Sequence, residues 1–346
     1  MTQLTSILVD TADRIFRRSE PWPAGGFDAP LWGATEQAGL DRLLLPETMG
    51  GGGDAYAEAV AIATVAGERA AAIPLVETMV ANWCLARAGL EVPQGPKALL
   101  IASDQAAPSI DRAGHVRWNT SNELVWGGAV PASVILAMRD DALCVARAES
   151  PMTGAHHQTI AGEPVTLLEG ATTRVADDVV AAWPAGRDEP LALFAMLKAA
   201  AMVGASDALV AQAIEYANLR VQFGRPIAKF QMIQQIIARM ASETAAAAAA
   251  VQHAARAFGS ANGVFAAAVA KGRASEAAGR IAAAAHHVHG AIGFTAEHSL
   301  HRYSRRLWTW REEAGNEAFW YKRLGSAALR EGGTTLWPGL VSGLRL

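Results

Sequence analysis

Only two of the 346 residues are cysteine, Cys84 and Cys144, and no Cys-x-x-Cys pair occurs. That excludes a disulfide scaffold and fits a reduced, cytoplasmic protein. No basic run stands out: 30 Lys and Arg face 33 Asp and Glu, for a formal net charge of −3. The chain therefore lacks the positive field that nucleic-acid binding needs. No stretch of membrane-spanning length is free of both charge and breakers, so no membrane span is expected. The opening segment MTQLTSILVDTADRIF carries acids early and has no basic stretch before an unbroken apolar run, so it does not read as a secretory signal. Gly50 to Gly53 are not followed by Gly-Lys-Ser/Thr, which excludes a phosphate loop and leaves a turn.

Apolar residues are plentiful. Hydrophobic side chains make up 51% and charged ones 18% of the chain, enough to bury a large core. At this length two or three subdomains are expected. Residues 1–95 read as an N-terminal helical domain. Leu4, Ile7, Leu8, Ala12 and Ile15 form the apolar face of its first helix, Gly39 stops the second, Asp54 caps the third and Gly89 ends the fourth. Residues 96–190 break into short apolar or alternating runs such as KALLIASD, ASVILAM, ALCVARA and VTLLEG, separated by Asp, Gly, Pro and Asn. That pattern predicts a middle β-sandwich or barrel. Residues 191–346 turn helical again and predict a C-terminal four-helix bundle with a tail, its fourth helix within 312–330. The fold class is thus α+β and multidomain.

The bundle region contains the most informative stretch, Arg220 to Met240. One long helix ends near Arg220, a Phe-Gly-Arg-Pro corner follows, and apolar residues at 230, 233, 237 and 240 give a second helix a buried face. Gly224 suits positive φ and Pro226 cannot continue a helix. By periodicity alone this is a helix hairpin with a rigid elbow. The word Arg-x-x-Phe-Gly-x-x-Ile-x-x-Phe-Gln, carried by Arg220, Phe223, Gly224, Ile227, Phe230 and Gln231, also resembles the flavin-contacting elbow of the acyl-CoA dehydrogenase family. The spacing of Leu31-Trp32, Ala38-Gly39-Leu40 and Leu45-Pro46-Glu47 before Gly50-Gly51 resembles that family's N-terminal helical domain.

A second segment, residues 286–298, reads His-His-Val-His-Gly-Ala-Ile-Gly-Phe-Thr-Ala-Glu-His. His286 and His289 are three apart on a helix and invite a metal reading, yet no cysteine or carboxylate stands at a matching spacing. Gly290 reads equally as a helix C-cap. The segment resembles the family's Gln-x-x-Gly-Gly-x-Gly-Phe, with His287 in place of the Gln, Gly290 kept, Ala291 in place of the second Gly, and Gly293 and Phe294 matched. The resemblance implies FAD as cofactor, an acyl-CoA substrate and an electron-transfer acceptor. It also implies a homo- or hetero-tetramer, because in the family both segments reach the FAD of a neighbouring subunit. Arg220 would neutralise the diphosphate. Phe223, Ile227 and Phe230 would wall the adenosine side, Gln231 would hydrogen-bond it, and His287, Gly290 and Ala291 would bring backbone close to it.

Two family pieces are missing or shifted. The Thr-Glu-Pro-x-Ala-Gly-Ser-like segment that holds the flavin ring is not found; residues 101–112, IASDQAAPSIDR, take its place, and Trp118-Asn119-Thr120 faintly resembles a later flavin-wall segment. The family's glutamate base falls on Glu313 in one register and on Arg311 in an ungapped one, while the alternative family position falls near Phe194. Glu313 is the candidate base; a solvated helix start is the plain alternative. Some family members are heteromeric, with a shorter partner supplying the elbow, and such assemblies are known among dehydrogenases of steroid side-chain CoA thioesters. Three readings follow: a flavin-dependent acyl-CoA dehydrogenase or one subunit of it, a catalytically silent partner, or a related flavin oxidase or monooxygenase.

Overall fold

Helices occupy both ends of the chain and strands its middle. The computed structural model describes residues 3–19, 27–101, 108–111, 113–117, 123–126, 132–140, 142–148, 155–168, 172–175, 179–331, 337–338 and 341. Two compact units result. One is built from Met1–Arg17, Val60–Ala71 and Ala195–Leu346, the other from Arg18–Ala59 and Ala72–Phe194.

The second unit holds α2 (Ala29–Gln37), the start of α3 (Tyr56–Glu68), α4 (Leu75–Arg87) and the strands. Asp28 caps α2 by accepting a hydrogen bond from the Leu31 amide. Gly39 and Gly89 take positive φ after α2 and α4, as their sequence positions predict. The Gly50–Gly53 turn is tightly packed, since a Cβ at Gly51 would lie 2.1 Å from the Leu45 carbonyl oxygen. The strands are β1 (Lys97–Ile101), β2 (Ser109–Ile110), β3 (His115–Arg117), β4 (Glu123–Trp126), β5 (Ala132–Arg139), β6 (Ala142–Ala148), β7 (Ala155–Gln158), β8 (Pro164–Leu168), β9 (Thr172–Arg174) and β10 (Val180–Ala182). Among the described residues they form one seven-stranded sheet, ordered β10-β6-β5-β2-β3-β9 with β1 also on β5, and a three-stranded sheet ordered β4-β8-β7. β5 is the centre: β6 lies antiparallel on one edge, and β1 and β2 share the other in parallel. Ser133 through Ala137 are all buried, as befits a strand covered on both faces. The sheet core comprises Ala98, Leu100, Ile110, Val116, Ile135, Ala137, Ala146, Ala148 and Val175.

Beside β1 lies a buried polar group. Asp41 is 2% exposed and its carboxylate receives a long 3.4 Å hydrogen bond from Asn82. Lys97, also buried, donates to the carbonyls of Pro93 and Gly95. Burial pushes Asp41 up to about 6, with Glu36 adding to the effect and Lys97 opposing it.

The first unit holds α1 (Gln3–Phe16), the end of α3, α5 (Glu189–Leu219) from Ala195 onward, α6 (Gln231–Ala257), α7 (Gly263–His289), α8 (Leu300–Glu312) and α9 (Glu317–Glu331). The apolar face expected on α1 is corrected in part: Ala12 is buried as expected, but Leu4 and Ile7 are exposed, and Thr5 and Phe16 are buried instead. The side carrying Asp13 is drawn inward by its ion pair with Arg69 at the end of α3. The helix expected within 312–330 is α9, and a further helix that the periodicity did not mark, α8, precedes it. Among the described helices α5 is long and apolar enough to cross a membrane, but 83% of its most apolar window is buried inside the protein.

The α3–α5 crossing is the closest approach in this unit that glycine permits. A Cβ at Gly67 would lie 1.9 Å from the Ala201 carbonyl oxygen, and one at Gly204 would lie 1.9 Å from that of Thr64. Gly204→Ala is expected to force the helices apart at a cost of about 1–3 kcal/mol or more, read as a lowered Tm. Asp41 gives a pH signature. Its folded pKa is raised, so the stability it contributes is full below the unfolded carboxylate range and falls as pH rises through about 6. Asp41→Asn is expected to flatten that decline, worth about 3 kcal/mol, in urea unfolding between about pH 4 and pH 7.

Candidate functional site

The elbow is a two-residue hairpin between helices. After α5, β11 (Val221–Gln222) pairs antiparallel with β12 (Arg225–Pro226). Phe223 and Gly224 sit at the corner with φ of 52° and 76°, both positive as a type I′ turn demands. Gly224 adopts this freely. Phe223 does so at roughly 1–2 kcal/mol, and its ring stands 91% exposed. The Arg220 amide donates to Tyr216 and its carbonyl accepts from Ile227, closing the hairpin base. The Arg220 side chain is exposed and makes no hydrogen bond or ion pair among the described residues. It is therefore not spent on capping α5.

Phe230 stands edge-on to Phe223, with centroids 6.1 Å apart. The Arg225 guanidinium lies 4.4 Å from the Phe230 ring centroid. Ile227 is half-buried and Gln231, the first residue of α6, is exposed. Of the predicted buried face on α6, Met240 is buried, whereas Phe230, Ile233 and Ile237 are only half-covered.

The second segment begins where α7 ends. Gly290 takes φ 63° and ψ −141°, a backbone state open essentially to glycine, and a short 3-10 turn runs on to Phe294. The space where a Gly290 side chain would stand is open, while Gly293 is pressed against His289 and Leu300. His287 and Ala291 face outward. The flanking histidines are buried. His286 bonds the Ser304 hydroxyl at 3.0 Å and lies between the rings of Phe294 and Trp308. His289 donates from Nδ1 to the Ala285 carbonyl and stacks on Tyr216 with centroids 4.6 Å apart. Burial lowers the pKa of both imidazoles.

The Tyr216–His289 stack brings the two segments to one end of the bundle, because Tyr216 starts the Arg220 hairpin and His289 precedes Gly290. Ser299, beyond the second segment, also reaches Gln212 on α5. Sequence reasoning quoted both segments but missed Tyr216; an aromatic one turn before a helix end was its only signal.

Glu313 lies elsewhere in the unit, in the α8–α9 turn. Its Oε2 is 2.5 Å from the ammonium of the buried Lys198 on α5. Lys198 lies one turn past Phe194, the alternative base position. Arg311, the alternative in the other register, pairs with Glu317. Residues 102–107, 112 and 118–120, which include most of the expected flavin-ring segment and Trp118-Asn119-Thr120, lie outside the described residues.

The donors at the elbow end fit a dinucleotide. An unpaired guanidinium suits a diphosphate, the open Gly290 backbone admits close approach, and the exposed Phe223 ring offers an aromatic wall. The family model for the acyl-CoA dehydrogenase C-terminal domain matches residues 188–326. The acyl-CoA dehydrogenase IpdE2 of Mycobacterium tuberculosis is 32% identical over 291 residues, covering 81% of each chain. The fold matches a chain of the ChsE4–ChsE5 complex of M. tuberculosis with a TM-score of 0.81 and 24% identity, over 96% of this chain and 99% of that one. It matches butyryl-CoA dehydrogenase of Megasphaera elsdenii with a TM-score of 0.79 and 21% identity, over 95% and 99%. With fold, elbow and a relative at that identity across four fifths of both chains, this chain belongs to the acyl-CoA dehydrogenase family.

Proposed function

We propose that the chain is a subunit of an FAD-dependent acyl-CoA dehydrogenase and lends its bundle end to flavin held by a neighbouring chain. The observation that carries this is the convergence of Arg220–Gln231 and His287–Phe294 across the Tyr216–His289 stack. Arg220, Phe223, Gln231, His287, Ala291 and Phe294 all turn outward from these segments. Leu219, Val221, Phe223, Met232, Ile292 and Phe294 are all exposed there. A cluster of large apolar side chains on one end marks an interaction face, and a homo- or hetero-tetramer would cover it. We read the division as helical 1–95, β 96–190 and bundle 191–346, and the location as cytoplasmic, consistent with the free, buried Cys84 and Cys144.

When bound, FAD supplies the hydride acceptor for α,β-dehydrogenation of an acyl-CoA thioester. The chain's own residues bind and orient. Arg220 offers a planar, permanently charged fork to the diphosphate. Phe223, Ile227 and Phe230 supply the apolar wall, and Arg225, held over Phe230, adds a second cation to the same corner. Gln231 presents an amide at the α6 N-terminus, where the helix dipole favours an anion. His287, Gly290 and Ala291 border the approach of the Gly290–Phe294 backbone.

Arg220→Ala is the test. Flavin bound per chain, read from absorbance near 450 nm after purification with co-encoded subunits, is expected to fall at least about tenfold, as loss of a charge-assisted contact worth roughly 1.5–3 kcal/mol implies. The helical circular dichroism and Tm should stay within error of wild type. Unchanged flavin content would remove Arg220 from the site.

A further inference from the structure

The α8–α9 turn, residues 312–316, is fastened at nearly every group. Lys271 on α7 is fully buried and donates to the carbonyls of Arg311 and Gly315, each at 2.8 Å, and to the Ser275 hydroxyl at 3.1 Å. Those two carbonyls flank Glu313. Trp320 donates to the Ala314 carbonyl at 2.9 Å, and Asn316 to Glu312 at 2.8 Å. Ala314 and Gly315 both take positive φ, 54° and 83°. Such a pair of left-handed residues needs an external hold, because Ala314 does not favour that state. Into this turn α5 sends Lys198, 5% exposed at its side chain, whose ammonium sits on Glu313 and 5.7 Å from the Trp310 ring centroid.

We propose that a clasp fixes the α8–α9 turn to α5 and α7, Lys198 holding the Glu313 carboxylate and Lys271 the carbonyls on either side of it, and that the task of Glu313 is to hold this fold rather than to abstract a proton. A general base needs a carboxylate free to accept a proton and a surrounding that disfavours its charge. Glu313 is instead held in an ion pair, its Oε2 2.5 Å from the Lys198 ammonium. Lys271 holds the carbonyls of Arg311 and Gly315 on either side of it. A carboxylate fastened to α5 in this way serves the turn, whereas a base must face the substrate. The charges facing Lys271 are Glu313, Lys198, Glu312 and Glu317; burial dominates and lowers it to about 7. The clasp is built within one compact unit, so it stands or falls independently of where the flavin sits.

The experiment is a double-mutant cycle on the full chain, Glu313→Gln, Lys198→Met and both together, with Tm as readout. Each single variant strands a buried charge, which costs more than removing the pair. The expected result is that each single variant loses several degrees, that the double variant regains at least half of the summed loss, and that Lys198→Arg is milder than Lys198→Met. If the single variants do not fold, recovery of folded protein in the double variant is the same result. Lys271 adds a pH signature. Its folded pKa is depressed from 10.5 to about 7, so the unfolded chain binds the extra proton between those values and stability rises with pH across that window. Lys271→Met is expected to flatten the rise. An unchanged Tm in Glu313→Gln, additive losses, or a double variant that folds no better than the single ones would overturn the clasp. Loss of the Arg220 prediction would leave it untouched.

Discussion

A long stretch of helix with almost no exposed side sets the terms for the bundle. From Leu191 to Leu209, every residue of α5 except Phe194 and Asp207 is buried, and a helix apolar all round is stable only when other elements enclose it. The molecule meets this demand in three ways along the helix. At Gly204 the backbone of α3 comes into direct contact. At Lys198 a cation on the same helix is neutralised by Glu313. At Tyr216 the ring of His289 closes the far end. Each solution uses different chemistry, yet all three fix the same axis. The elbow then begins where that enclosure stops, which is why its side chains project from a rigid base.

That rigidity matters at Phe223. A β-hairpin of two-residue strands has little stability alone. Here its ends are tied by the Arg220 and Ile227 backbone and its corner by the Phe223–Phe230 and Arg225–Phe230 contacts. The positive φ of Phe223 is strain held in place by these ties. Exposed apolar rings on a well-tied corner resemble an interface hot spot, where a preorganised aromatic anchor avoids the entropy of ordering on contact.

Much of this was legible in the chain. Gly39 and Gly89 marked helix ends, the short alternating runs marked strands, and Arg220 to Gln231 carried the family's elbow word. What failed did so for physical reasons. Leu4 and Ile7 look like a core face by periodicity, but the Asp13–Arg69 pair, a contact across 56 residues, turns the helix. Helix α8 was missed, and the turn that ends it is held by the Lys271 amine, 40 residues upstream of Arg311. Glu313 looked available because a sequence does not show which cation a fold brings to a carboxylate. Local turns and periodic faces are written locally; ion pairs and buried caps are properties of the tertiary arrangement. For the same reason Lys198, with an unremarkable place in an alanine-rich helix, gave no signal.

One consequence of the unit's makeup concerns synthesis. Its pieces are separated in the chain: Met1–Arg17 and Val60–Ala71 come first, and the helices that cover them start only at Ala195. On the ribosome the early helices emerge on the order of ten seconds before α5. In that interval the face around Gly67 lacks the Ala201 backbone it packs on, while the sheet region, whose pieces lie between, is completed first. The long-range contact at Gly67 and Gly204 thus cannot form until α5 has emerged, and a chaperone that recognises short apolar helices has its opportunity before that moment.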